Sequence, residues 1–100
     1  MAMPATPPLE IDRYVIDTLM HDLVGHDRRP SAFLVYLAVA AHAADGGRGL
    51  SYADLAGLTG LSKRSVQDAV SHLARRKLLE VQRVGPTETA LYRALKPWKR

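Results

Sequence analysis

Polar side chains that can bind nucleobases recur along residues 62 to 76, where the pattern predicts a helix. At roughly 100° per residue, polar and apolar positions separate onto opposite sides of that helix. The apolar side holds Val66, Ala69, Val70 and Leu73. The polar side and the first turn hold Ser62, Lys63, Arg64, Ser65, Gln67, Asp68, Ser71 and Arg75. Because Arg pairs with guanine, Gln with adenine and Ser with either, the free side suits the major groove of double-stranded DNA.

Two features of this segment refine the prediction. Lys63 and Arg64 stand in the first turn, the end of such a helix that usually reaches base edges. That end also has unpaired backbone N–H groups, which suit a phosphate. Asp68 would repel phosphate unless it pairs with Arg64 one turn earlier or accepts a hydrogen bond from a cytosine amino group.

The charge is divided unevenly along the chain. The net charge is +4, but residues 1–60 hold four Arg against seven acids, a balance of −3. Residues 61–100 hold ten Lys and Arg against three acids, a balance of +7. A split of this kind indicates that the C-terminal part meets a polyanion.

Other side chains that could do chemistry lack a convincing arrangement. His21-Asp22 and His26-Asp27 form a repeated pair, but the two histidines are five residues apart and do not share a helix face, so a solvated helix end is expected. His42 and His72 are isolated and are expected to be structural. The chain has no cysteine. We therefore predict no enzyme, no catalytic residue, no metal site and no cofactor.

The elements that must position the polar helix follow from periodicity and breakers. We predict helices at 9–24, 31–44, 52–58 and 63–77, and a hairpin at 79–95. Gly25 is expected to end the first helix, and Ser51 with Asp54 to cap the third, which carries Leu55, Ala56 and Leu58 inward. Residues 1–8 are expected to be a disordered leader, 9–95 one domain, and 96–100 a basic tail.

The second predicted helix is apolar nearly all round, so it should be buried in the core or in a dimer. Its apolar run, Phe33 to Ala41, is far shorter than the ~20 residues that cross a bilayer. We expect neither a membrane span nor a membrane partner. Three roles are open for the tail. Trp98 could stack on the fold, the cations of the tail could contact phosphate, or the whole tail could be a loose solubilising segment.

Tyr52 to Ser71 resembles the helix-turn-helix unit, with Ala56, Gly60 and Val66 spaced as in that family. The wider stretch Leu34 to Val81, followed by a hairpin, looks like the winged-helix domains of bacterial regulators and of plasmid and phage replication initiators. The resemblance implies that the second helix of the unit enters the groove and that the hairpin, or wing, lies near the backbone. It adds Arg83 and Arg93 to the candidate contacts, although the wing tip, Gly85 to Thr89, holds only Glu88 as a charge.

These observations predict a mainly α fold with a small β-hairpin, a single winged helix-turn-helix domain. The expected function is sequence-specific binding of double-stranded DNA as a cytoplasmic transcriptional regulator or replication initiator. A homodimer is compatible with this function, and Leu9 to Val24 is the segment most free to form it. The alternative is a winged-helix adaptor that binds protein and not DNA, suggested by the apolar second helix and the sparsely charged wing.

Overall fold

A computed structural model describes residues 8–44, 49–83 and 89–99. It contains a helical N-terminal segment, residues 13–26, in which the π-helical stretches Val15–Leu19 and His21–His26 meet at Met20. Helices α1 (Pro30–Ala44), α2 (Tyr52–Thr59) and α3 (Lys63–Arg75) follow. Strands β1 (Leu79–Arg83) and β2 (Ala90–Ala94) complete the order. Within the described ranges, no helix combines the length and apolar character that crossing a bilayer requires.

The N-terminal segment differs from its prediction at both ends. Its amphipathic character is confirmed, since Val15, Leu19 and Leu23 are buried. However, it begins at residue 13 instead of 9 and continues through Gly25 to His26. The left-handed residue after the helix is Arg28, with φ 56°, and not Gly25. The end of the segment is therefore set by the residues just beyond the helix, where the Arg29 N–H donates to the Leu23 carbonyl at 2.7 Å.

Helix α1 forms the centre of the core. Its buried side chains include Ala32, Val35, Tyr36 and Val39, which pack with residues from the other helices and from β1. The expectation of burial all round is too broad, because Leu34 on the same helix is exposed. The expected glycine break after α1 falls on residues 45–48, outside the described residues, apart from Gly49.

Local chemistry sets both ends of α2, and the cap at its start is the one that the sequence predicts. The Ser51 hydroxyl accepts the Asp54 N–H at 3.0 Å while the Asp54 carboxylate accepts the Ser51 N–H at 2.9 Å, which is a full capping box. Gly60 ends α2 with φ 79°, a left-handed conformation that glycine adopts without a steric penalty. Leu55 is buried as expected, but Leu58 is 60% exposed, so its inward placement is wrong.

The hairpin is antiparallel, with Leu79 opposite Ala94 and Arg83 opposite Ala90. The β2 residue Ala90 also pairs with Leu50, which ties the strand to the segment before α2. The predicted wing tip, residues 84–88, lies outside the described residues. The same holds for residues 1–7 of the predicted leader and for Arg100.

The residues after β2 pack against the fold. Trp98 stacks on Tyr14, with ring centroids 4.5 Å apart, and lies beside Tyr36. The Tyr36 hydroxyl donates to the Leu95 carbonyl at 3.0 Å. Burial, helped by the charge of Asp12, raises the pKa of Tyr36 to about 12, so the phenol keeps the proton that it donates. Of the three roles considered for this tail, the structure shows the stacking of Trp98.

Candidate nucleic-acid interface

Helix α3 has one buried face and one exposed face, as the sequence predicts. Val66, Ala69, Val70 and Leu73 are each no more than 5% exposed. Because these side chains anchor the helix in the core, the opposite face is held outward in a fixed orientation. The exposed predicted contacts on α3 and at its start are Ser62, Lys63, Arg64, Gln67, Asp68, Ser71 and Arg75, and Ser65 is half-buried.

The start of α3 is held by two serines. The Ser62 hydroxyl oxygen accepts the Ser65 N–H at 3.1 Å and its proton is donated to Ser65 Oγ at 3.0 Å. These bonds satisfy one of the free N–H groups of the first turn. Ser62 therefore already has a structural role, whereas Lys63 and Arg64 beside it are exposed.

The pairing of Asp68 with Arg64, one of the two alternatives that the sequence leaves open, is not seen. Within the described ranges, no acidic group forms an ion pair with Arg64, and Asp68 has no ion-pair partner either. Arg64 is therefore not oriented by the carboxylate one turn later. The other alternative, in which Asp68 accepts a hydrogen bond from a cytosine amino group, stays a prediction.

The two arginines of the predicted wing differ in their surroundings. Arg83 at the end of β1 is exposed and donates to the Tyr52 hydroxyl at 3.4 Å. Arg93 on β2 lies directly across the hairpin from Glu80 and forms an ion pair with it. Of the two, Arg83 has the more available positive charge.

A buried carboxylate, missed in the sequence, holds the far end of α3. Asp27 Oδ2 lies 2.8 Å from His72 Nε2 and 3.1 Å from Arg76 Nε, and Asp27 Oδ1 lies 3.0 Å from His26 Nδ1. The Asp27 side chain is only 7% exposed. The expectation of a solvated helix end is therefore wrong for Asp27, and His72 is structural but not isolated.

The contacts of Asp27 keep it ionised. Burial raises the pKa of its carboxyl group, but the hydrogen bonds from His26 and His72 and the charge of Arg76 outweigh burial. The pKa of Asp27 therefore lies below its ordinary value of 3.8. The charged form fastens the loop before α1 to the last turns of α3. The only sequence signal is that His72 and Arg76 are four residues apart in the predicted helix 63–77, and nothing links them to residue 27.

The described residues contain no group of three or more His, Cys, Asp or Glu side chains that could hold a metal ion. The chemistry of this surface is that of cations, amides and hydroxyls on an exposed helix. Such a surface can form hydrogen bonds and ion pairs with a polyanion.

Comparisons with known proteins bear on this surface. A family model described as a helix-turn-helix domain matches residues 29–79, about half of the chain. Among solved structures, that of the AntR antimony-specific transcriptional repressor is similar, with a TM-score of 0.50 and 28% sequence identity. The similarity covers 97% of this chain and 84% of that chain. No curated protein matches the chain. The comparisons and the two-stranded hairpin confirm the predicted fold class.

Proposed function

The chain belongs to the helix-turn-helix domain family, and from that premise we propose that it binds double-stranded DNA sequence-specifically as a transcriptional regulator. The observation that carries the proposal is the exposed polar face of α3, held outward by the buried apolar face behind it. An α-helix fits the major groove, where each base pair presents a distinct pattern of donors and acceptors.

The side chains of this face have different proposed roles. Arg64, Gln67 and Ser71 bind base edges, because their fixed donor and acceptor groups match guanine and adenine. Lys63 binds a phosphate at the start of the helix. Arg83 contacts the backbone from the wing, whereas Arg93 could contribute only by giving up its ion pair with Glu80.

The similarity to AntR favours transcriptional regulation over replication initiation. AntR is an antimony-specific repressor, and that specificity is a property of AntR. Soft ions are bound by thiolates, and these 100 residues contain no cysteine. Replication initiation and the cytoplasmic location stay predictions.

The test is a binding series on a cognate site selected from random duplexes with the purified protein. Affinity should fall steeply as salt rises, because bound cations displace counterions from DNA. Arg64→Ala or Gln67→Ala should cost about 1–3 kcal/mol on the cognate site and relax specificity. Arg83→Ala should weaken all sequences alike. The matched control is Lys99→Ala, an exposed cation paired with Asp12 that lies outside α3, the wing strands and the N-terminal segment. Absence of binding at low salt would contradict the proposal.

We also propose that the protein pairs through its N-terminal segment. Ile16, Met20 and Val24 recur every fourth residue and are each 37% or more exposed, beside the buried row that begins at Val15. We expect a second copy of this chain to cover the exposed apolar row, because helix-turn-helix proteins commonly bind two-fold symmetric sites as dimers.

Sedimentation across a concentration series tests the dimer. Wild type should sediment as a dimer, and Met20→Glu should shift it to a monomer because it places a charge in the apolar row. Leu34→Glu is the matched control, since Leu34 is a similarly exposed apolar residue outside the segment. A wild type that stays monomeric both alone and on a symmetric DNA site would contradict pairing.

A further inference from the structure

Two cations occupy backbone conformations that suit glycine. Arg28 has φ 56° and Lys77 has φ 58°. A side chain in this left-handed region crowds the following carbonyl, so glycine or asparagine is usual there. Both side chains are exposed, so no burial of apolar surface offsets the cost of this backbone conformation. Strained positions of this kind persist only where the surrounding structure holds the backbone, and they cluster at functional sites. The presence of Arg and Lys instead of glycine at these two positions therefore needs another explanation than stability.

One ion pair brings these two residues together. Arg28 directly follows Asp27, and Lys77 directly follows Arg76. The Asp27 carboxylate lies 3.1 Å from the Arg76 guanidinium and 2.8 Å from the His72 ring. Arg28 and Lys77 therefore flank the same contact at the C-terminal end of α3.

The charges of Arg28 and Lys77 are not neutralised within the described ranges. Elsewhere, cations are paired with acids: Arg13 with Asp17, Arg93 with Glu80, and both Lys96 and Lys99 with Asp12. The described cations without an ion pair are Arg28, Arg29, Lys63, Arg64, Arg75, Lys77 and Arg83. They lie on α3, just beyond its C-terminal end, in the loop that Asp27 fastens to it and on the wing strand.

We propose that Arg28 and Lys77 contact DNA phosphates beside the groove that α3 enters, at the C-terminal end of the helix. This inference rests on the proposed function. The 13 residues of α3 span about 20 Å, and the major groove is only ~12 Å wide. With its first turn at the base edges and its axis inclined across the groove, the other end of the helix lies at the level of the phosphate backbone. Cations held there meet phosphates and carry no sequence information themselves.

Arg28→Gly and Lys77→Gly, singly and together, test the proposal. Glycine relieves the left-handed backbone, so the unfolding midpoint should stay the same or rise. Each lost phosphate contact should make the negative slope of log affinity against log salt shallower by about 0.9. Relative to 1 M salt, this is a loss of about eightfold in affinity at 0.1 M salt. Cognate and unrelated duplexes should be affected alike.

The controls separate this role from the alternatives. Arg28→Lys keeps the charge and should keep the salt slope, and Lys99→Gly, which removes a paired cation outside the helices and strands, should leave it unchanged. Lys77 could instead serve only the negative C-terminal end of the α3 dipole, in which case Lys77→Gly would lower stability without changing the slope. That result, or an unchanged slope in the double variant, overturns the proposal while leaving α3 as the DNA-binding helix. A wild type without salt-dependent DNA binding overturns both.

Discussion

Removal of the Asp27 carboxylate should lower the stability of the fold by more than is usual for a residue in a surface loop. Asp27→Ala removes a charge-assisted hydrogen bond to His72, whose side chain is only 15% exposed, and such bonds contribute about 1.5–3 kcal/mol. Arg76 is 42% exposed, so water screens its share to about 1 kcal/mol or less. His26 is mostly exposed and adds nothing measurable. Release of the buried charge offsets part of the loss, which leaves about 2–3 kcal/mol.

Thermal and urea unfolding at pH 7 measure this loss. For a domain of this size each kcal/mol lowers the unfolding midpoint by about 4–8 °C, so Asp27→Ala should unfold roughly 10–20 °C below wild type. Asp22→Ala is the matched control, because its side chain is 41% exposed and its nearest ionic partner, His21, is 3.9 Å away. The control should change stability by less than about 0.5 kcal/mol.

A double-mutant cycle then assigns the loss to the contact. If Asp27 acts through His72, the combined Asp27→Ala and His72→Ala variant should lose less than the sum of the single variants. Equal stability of Asp27→Ala and Asp22→Ala would refute the reasoning. Full additivity with His72→Ala would refute the assignment to that hydrogen bond.

Three further predictions concern pH and local backbone chemistry. Because the pKa of Asp27 is lowered below 3.8, its contribution to the free energy of unfolding is present above pH ~3.8 and is lost as the pH falls through the pKa of the folded state. The difference in stability between wild type and Asp27→Asn, measured by urea unfolding, should therefore shrink as the pH falls. Ser51→Ala should cost about 0.5–2 kcal/mol in urea unfolding, because Asp54 loses its capping partner. Gly60→Ala should cost about 1–2 kcal/mol at φ 79°, whereas Gly57→Ala, inside α2 with open space at its Cβ, should gain about 0.5–1 kcal/mol; thermal unfolding compares the pair. Stability changes of the same sign for Gly60→Ala and Gly57→Ala would contradict this last prediction.

The parts of the site that the sequence predicts are those governed by neighbours three or four residues away. The buried row from Val66 to Leu73 follows from helical periodicity alone, and Ser51, Gly60 and Ser62 mark the helix ends by local hydrogen bonds and backbone freedom. These rules operate within one or two turns of chain. They therefore located α3 and its exposed face, except that the helix ends at Arg75, two residues before the predicted end.

The parts that the sequence does not predict depend on contacts between distant segments. Gly25 carries the local signal of a helix end, but the helix passes through it. Asp27, 45 residues from His72 in sequence, instead fixes the chain beyond the helix, and Arg28 takes the left-handed conformation. The number of possible partners for one carboxylate is large, and a single sequence gives no means of choosing among them.

Ion pairs between distant residues also reduce the number of cations in residues 61–100 that are available to bind DNA. Ten cations between residues 61 and 100 suggest a broadly basic half, yet four of them are paired with acids: Arg76, Arg93, Lys96 and Lys99. A paired cation must give up its acid before it binds phosphate, so it contributes less to affinity and to salt dependence. Of the described cations in this half, the unpaired ones lie along α3, just beyond its end and at the end of β1. The binding surface is thus narrower than the charge count implies, and the salt slope should follow these residues and not the total charge.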